Sequence, residues 1–261
     1  MEKISINITT YNRAHLLPRC IESVIFQSYK NIEIIIVDDC SDDNTQKVVS
    51  ELQKRDKRIK YFRHEKNRGN AEARNTAMKN SLGEYIAFLD DDDEWIDKNK
   101  LEKQLKIIEK NKADIVCSSV RLYSNKKKFK EKIIQKPKNL KKWMLKRNGI
   151  IYSPTILIKK EIMDKVGGFD KNLERGVDSD FYRNCILNFG YKIYFLKDIT
   201  TAIYEYGNDR MTPQKNYNSI MKNIKANKYI IKKYFKWFLI YPGCLIYRIK
   251  IILLSYIIQL R

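Results

Sequence analysis

The chain contains no G-x-G-x-x-G, no G-x-x-x-x-G-K-[ST] and no G-x-S-x-G, so the dinucleotide, P-loop and hydrolase signatures are all missing. A nucleotide diphosphate, if bound, must then be held by a cation and side chains rather than by a glycine cradle. His15 and His64 are the only histidines, too few for His-rich metal chemistry. The five cysteines (Cys20, Cys40, Cys117, Cys185, Cys244) are scattered and form no C-x-x-C pair, which gives no zinc site and fits a reducing compartment. No secretory signal is expected at the start, because strand-like sequence begins at Ile4.

A chain of 261 residues can bury a full core, as one large or two closely joined domains. Its net charge of +21 is unevenly spread. Residues 126–147 hold eleven Lys/Arg against Glu131 alone, and residues 207–261 hold eleven against Asp209 alone, so each carries +10 and the remaining 184 residues only +1. Such segments read as contacts with anionic lipid or nucleic acid, or as solvated surface.

Hydrophobic periodicity predicts strands at Ile4–Thr9, Ile32–Val37, Ile59–Arg63 and Tyr85–Leu89, with helices at Leu16–Ile25, for about 12 residues from Asn44, and at Asn70–Asn80. This alternation predicts an α/β fold with a largely parallel sheet flanked by helices. Further on, a helix over Leu101–Glu109, a strand over Asp114–Val120 and another over Tyr152–Ile158 are expected. They are followed by a helix over Val177–Phe189 and short strands at Ile193–Leu196 and Ile199–Tyr204.

The strand Tyr85–Leu89 runs into four consecutive carboxylates, Asp90 to Asp93, then Glu94. So many like charges repel unless some protonate or a cation neutralises them. A hard divalent ion such as Mg²⁺ or Mn²⁺ takes one or two carboxylates and fills its shell from a phosphorylated substrate. A solvated acidic loop is the alternative, but ligands of open α/β sheets bind beyond the carboxyl ends of the strands, where this cluster falls. Asp38 and Asp39 end the second strand at the same edge, placed either to meet a base or ribose or to cap a helix. Asp178 and Asp180 follow Gly176 near a helix start, where a carboxylate can serve as a general base or, again, as a cap.

TTYNRAHLLPRCIESV, IEIIIVDDCSDDNT, NRGNAEARNTAM and GEYIAFLDDDDEW together resemble the successive motifs of family 2 glycosyltransferases with a GT-A fold. SPTILIKKEIMDKVGGFDKNLERGVDSDFYRN resembles the acceptor-side half of the same family, so the likeness spans about residues 3–205. The resemblance implies that Thr9, Tyr11 and Asn12 contact the nucleotide, that Asp39 meets the uracil and that Arg68 lies near the base and diphosphate. Asp90, Asp91 and Asp92 cover the D-x-D position, Asp92 being the expected direct ligand of Mn²⁺ or Mg²⁺ and Asp90 standing beside the ribose or the metal. Asp178 matches the catalytic base, although the family commonly has Glu-Asp where this chain has Val177-Asp178, so Asp180 stays open for that role.

The implied activity is inverting transfer of a hexose (Glc, Gal or GlcNAc) from a UDP-sugar to a hydroxyl of a lipid-linked, undecaprenyl-diphosphate saccharide, as in bacterial O-antigen, lipopolysaccharide or capsule synthesis. The expected organisation is a catalytic domain over 1–206, with a nucleotide-sugar half (1–97) and an acceptor half (98–206), and a basic amphipathic helical tail over 207–261. Trp237 to Leu260 is long enough to span a bilayer, but Arg248 and Lys250 at its centre and Pro242-Gly243 favour lying in an anionic interface. With the resemblance, which implies a cytosolic bacterial enzyme, the protein is expected to be cytoplasmic and peripheral on the inner face of the plasma membrane. A non-catalytic sugar-nucleotide binder and a basic nucleic-acid-binding protein are the alternatives; the second leaves the acidic cluster unexplained, and no nucleic acid partner is expected.

Overall fold

A computed structural model describes residues 2–125, 127–146, 151–205 and 217–259. In chain order it runs β1 (Ile4–Thr10), α1 (Leu17–Ile25), β2 (Ile32–Asp38), α2 (Thr45–Arg55), β3 (Ile59–Arg63), α3 (Asn70–Lys79), β4 (Tyr85–Asp90) and β5 (Glu94–Trp95). There follow α4 (Lys100–Asn111), β6 (Ile115–Tyr123), β7 (Phe129–Lys132), α5 (Leu140–Lys146), β8 (Ile156–Lys159) and α6 (Lys160–Val166). The last elements are α7 (Val177–Leu187), β9 (Ile193–Tyr204), α8 (Tyr217–Lys233), α9 (Phe235–Ile240) and α10 (Pro242–Gln259).

The strands form one sheet in the order β3-β2-β1-β4-β8-β6-β9-β5, with β7 added to β6. Strands β3, β2, β1 and β4 are parallel, as the strand–helix alternation predicts. Strand β8 then runs antiparallel to both β4 and β6, while β6 and β9 are parallel. The apolar run of β2 is explained by its two covered faces. Ile34 and Ile36 pack with Leu17, Cys20 and Ile21 of α1, while Ile35 and Val37 pack on Ala73 and Ala77 of α3.

Two expectations change in detail. The predicted strand Tyr152–Ile158 opens as a 3₁₀ turn at Ser153–Thr155 and only then becomes β8, since Pro154 has no N–H to give a ladder. The two short strands after Ile193 are one, β9, whose register shifts opposite Ser118 and Ser119. Pro242 does interrupt the Trp237–Leu260 stretch as expected: α9 ends at Ile240, and Pro242 opens α10, where its missing N–H costs nothing.

The boundary expected at 206/207, the first ten residues of the tail, and Lys126 and Arg147 of the other basic segment lie outside the described residues. Beyond the boundary, α8 to α10 pack on the body through Ile230, Tyr234, Phe238 and Cys244 against Leu145 and Leu187. Helix α10 is turned with Cys244, Arg248 and Ile252 inward, four residues apart, and Ile246, Ile249, Leu253, Leu254 and Ile257 outward. Arg248 is buried, its Nε donating to the Leu145 carbonyl at 2.6 Å and its Nη1 to Asn227 Oδ1 at 2.6 Å. No helix among the described residues is long and apolar enough to cross a membrane.

Candidate active site

Strand β1 pairs Thr9 with Asp90 of β4 and Thr10 with Asp38 of β2, so Thr9, Asp39 and Asp90 stand at one edge of the parallel half-sheet. After Asp90 the chain turns at once, the Asp93 amide donating to the Asp90 carbonyl at 3.0 Å. The turn sorts the four carboxylates into two pairs. Asp91 and Asp93 are buried, whereas the side chains of Asp90 and Asp92 are 33 % and 27 % exposed.

The mutual repulsion is met partly by two buried arginines. Arg13 Nη1 donates to Asp91 Oδ1 at 2.8 Å and to Asp92 Oδ2 at 3.2 Å. Burial nevertheless pushes the Asp91 carboxyl up to about 7, against the opposing charge of Arg13. Asp92 is raised by burial and then by Asp90. Asp93 is raised too, by burial and by its acidic neighbours, with the Tyr204 amide opposing at 3.1 Å.

Arg74, on α3 and buried, bridges distant parts of the sequence. Its Nη2 donates to Asp90 Oδ1 at 2.6 Å, and its Nη1 donates to Asp178 Oδ1 and, at 3.3 Å, to Ser153 Oγ. Asp178 sits in the first turn of α7, directly after Gly176, whose φ of +73° suits glycine. Burial raises Asp178 above the usual carboxylate range while Arg74 opposes. Asp90, Asp92, Asp178, Arg74, Thr9 and Asn70 line one cavity of about 230 Å³. A larger one of about 450 Å³ shares Asn70, Asp90 and Asp178 and continues toward Tyr152, Arg175 and Lys222.

Asp39 lies one strand away. Its carboxylate accepts from the Arg68 amide at 2.8 Å, the Gly69 amide at 2.7 Å and His64 Nδ1 at 2.7 Å. It thereby holds the turn that starts α3, whose Gly69 has φ +84°. The Arg68 side chain is exposed, and it is Arg74 of the same segment that enters the cavity. Thr9 Oγ1 donates to Asn70 Oδ1 at 3.1 Å, Tyr11 is 43 % exposed, and Asn12, with φ +53°, ties its side chain to the Asp42 amide at 2.9 Å. Asp180 faces away from the cavity: it is buried, with Lys233 Nζ at 2.7 Å and Arg183 Nη1 at 3.4 Å.

Arg13, Arg74, Asn70 and Ser153 were not singled out in the sequence. All four lie inside the quoted motif stretches, but nothing in spacing or periodicity marks them as cavity residues.

Residues 5–167 match the family model for glycosyl transferase family 2. The chain belongs to that family. An uncharacterized glycosyltransferase of Rickettsia felis is 45% identical over 131 residues, 50% of this chain, and the chain spans 21% of that protein's length. One of Methanocaldococcus jannaschii is 32% identical over 237 residues, 88% of this chain and 78% of its own. The Escherichia coli UDP-Glc:alpha-D-GlcNAc-diphosphoundecaprenol beta-1,3-glucosyltransferase WfgD is 42% identical over 122 residues, 47% of either protein. Among solved structures, S. aureus TarS 1–349 in complex with UDP-GlcNAc superposes with a TM-score of 0.69 at 20% identity, covering 88% of this chain and 66% of TarS. The mannosyltransferase PcManGT of Pyrobaculum calidifontis, in complex with GDP-Man and Mn²⁺, gives 0.62 at 18% identity over 88% and 62%. These structural likenesses bear out the GT-A fold of this family 2 glycosyltransferase.

Among the described residues no group of three or more His, Cys, Asp or Glu side chains converges as a complete metal-ligand set. Asp90 and Asp92 supply two hard oxygen donors at the cavity surface. That donor set fits a Mg²⁺ or Mn²⁺ ion whose other ligands come from a diphosphate and water.

Proposed function

We propose that this chain is an inverting, metal-dependent hexosyltransferase that moves Glc, Gal or GlcNAc from a UDP-sugar to a hydroxyl of an undecaprenyl-diphosphate-linked saccharide during synthesis of a surface glycan such as O-antigen, lipopolysaccharide or capsule. The observation that carries this is the convergence of Asp90, Asp92 and Asp178 on one cavity, although they come from β4, the turn after it and α7. WfgD, named for UDP-Glc and a GlcNAc-diphospholipid, and TarS bound to UDP-GlcNAc support the donor and acceptor classes.

In this reading Asp178 removes the proton from the acceptor hydroxyl as that oxygen attacks the anomeric carbon. General-base help of this kind is worth typically about 10²–10⁴-fold. Its raised proton affinity suits the task, and Arg74 orients the carboxylate and stabilises its ionised form before the substrate enters. The C–O bond to UDP breaks on the opposite face, giving inversion without a covalent intermediate. Asp39 already accepts three hydrogen bonds, leaving room for about one more, the uracil N–H. Thr9, Tyr11, Asn12, Asp91 and the exposed Arg68 complete the nucleotide-sugar side. Asp92 and Asp90 would hold Mn²⁺ or Mg²⁺, which supplies Lewis-acid stabilisation for the departing diphosphate.

A cytoplasmic, peripheral position on the inner membrane face is proposed from α9 and α10. Their outward surface exposes Leu239, Ile240, Ile246 and Leu253 by 57–67 %, while the charged Arg248 is inside, the reverse of an ordinary soluble helix. Residues 217–259 contain eight Lys/Arg and no carboxylate, which suits anionic headgroups. The test is to incubate the protein with radiolabelled UDP-hexoses, Mn²⁺ and a synthetic GlcNAc-diphosphate-lipid, then determine the linkage formed. Absence of transfer with every UDP-hexose, together with intact UDP binding, would reduce the chain to a sugar-nucleotide binder.

A further inference from the structure

The larger cavity has an end that donor chemistry does not need. It runs past Asp178 to Glu174, Arg175, Ser219 and Lys222, the last two brought there by α8. Arg175 precedes α7, and its Nη1 donates to the Ser219 carbonyl at 3.3 Å and Oγ at 2.9 Å. Its Nε and Nη2 donate to no acceptor among the described residues. Lys222 Nζ lies 3.0 Å from Glu174, with both side chains about half exposed, 50% and 55%. An exposed pair of this kind holds weakly and exchanges readily for a better anion. Between Arg175 and Asp178 the first turn of α7, Gly176 to Ser179, also lines the cavity. Amides of a first helical turn lack intrahelical partners and carry the positive end of the helix dipole.

We propose that Arg175 and Lys222 bind the diphosphate of the acceptor, which rests on the transfer reaction proposed above. A guanidinium fork with free donors and a nearby ammonium are the chemistry that recognises phosphate oxygens. The same chemistry would serve the donor's diphosphate. The donor end, however, lies with Thr9, Arg13 and Asp92 in the smaller cavity, whereas Arg175 and Lys222 line only the larger one. A diphosphate seated here puts the attached saccharide beside Asp178. The helix that carries Lys222 leads into α9 and α10, whose outward face is aliphatic, so the lipid end has a direction to follow.

The experiment uses the full chain with UDP and two probes, GlcNAc-diphosphate-decane and decyl GlcNAc without the diphosphate, measured by equilibrium binding and as acceptors. Wild type should bind the diphosphate probe about tenfold or more tighter than the neutral one, as charge-assisted contacts predict. Lys222→Gln and Arg175→Gln should each remove about tenfold of that preference, Lys222→Arg should keep it, and UDP affinity should not move. Arg175 also anchors α8, so the half-exposed Lys222 is the cleaner test. Equal binding of the two probes by wild type overturns the site, as does a loss of UDP affinity in place of acceptor affinity, which would assign these cations to the donor. If no sugar moves to either probe while the binding preference and its loss persist, the transfer reaction falls and the site stands. If transfer proceeds with acceptor KM unchanged in both Gln variants, the site falls and the reaction stands.

Discussion

Lys233 reaches from α8 to within 2.7 Å of Asp180 on α7, and this contact separates the roles of two aspartates that stand two residues apart. Asp180 is neutralised inside the protein by Lys233 and Arg183, whereas Asp178 is 32 % exposed at the cavity. Asp180→Asn should therefore act on stability. It leaves two cations without part of their counter-charge, costs about 3 kcal/mol and lowers Tm by about 6–12 °C in thermal melts.

Asp178→Asn should instead lower transfer by about 10²-fold or more while UDP binding stays near wild type, and since Arg74 keeps Asp90 the loss of Tm should be smaller than in Asp180→Asn. The comparison is a paired kinetic and calorimetric measurement on both variants. A folded, active Asp178→Asn beside a folded, inactive Asp180→Asn would move the base to Asp180.

Chelation should stop transfer and Mn²⁺ or Mg²⁺ should restore it. Asp92→Asn should raise the metal concentration needed for half-maximal rate by about 10-fold or more. Full turnover in EDTA would remove the metal-binding role from Asp92 and Asp90.

A pH effect is expected at a residue that lines neither cavity. Lys100 is fully buried, its Nζ 2.7 Å from Gln104 Oε1 and 4.2 Å from the centre of the Trp95 ring, and burial lowers its pKa to about 7. Because the folded value lies below the unfolded one, the unfolded chain binds the extra proton, and stability must rise with pH above about 7. The contribution is up to about 1.4 kcal/mol per pH unit. Urea titrations at pH 7 and 8.5 should show this gain in wild type, over and above the pH response of Lys100→Met. Equal pH slopes in the two proteins would mean that Lys100 stays charged.

Vesicles report on the outward face of α10. Wild type should sediment with phosphatidylglycerol-containing vesicles at low salt, and Leu253→Asp or Leu254→Asp should weaken this by about tenfold each without lowering Tm. Protein that stays in the supernatant at low salt would argue against the peripheral position.

The parallel half-sheet was legible because β2 and β4 are near-continuous apolar runs, as burial on both faces requires, and because Ile4, Ile6 and Ile8 of β1 alternate at strand spacing. The acidic turn was legible because four adjacent carboxylates need neutralising. The partner of that turn was not. Arg74 reads as one cation on a helix of low amphipathicity, and only the register that sets α3 against β4 and α7 brings it between Asp90 and Asp178. Sequence likewise placed Asp178 and Asp180 together, whereas the 100° advance per residue of a helix turns them to different sides. The outward aliphatics of α10 were visible as hydrophobicity, but that Arg248 would be the inward residue was not. Its site is made by the Leu145 carbonyl and Asn227, more than 20 residues away on either count.

Helix α8 lends Lys222 and Ser219 to the cavity, Lys233 to Asp180 and its following Tyr234 to the floor beneath α7. Cutting the chain at residue 206 would thus not yield a minimal catalyst. It would bare the buried Arg183 and strip one wall from the chamber where the reaction is placed, so both halves must be made, folded and kept as a single piece.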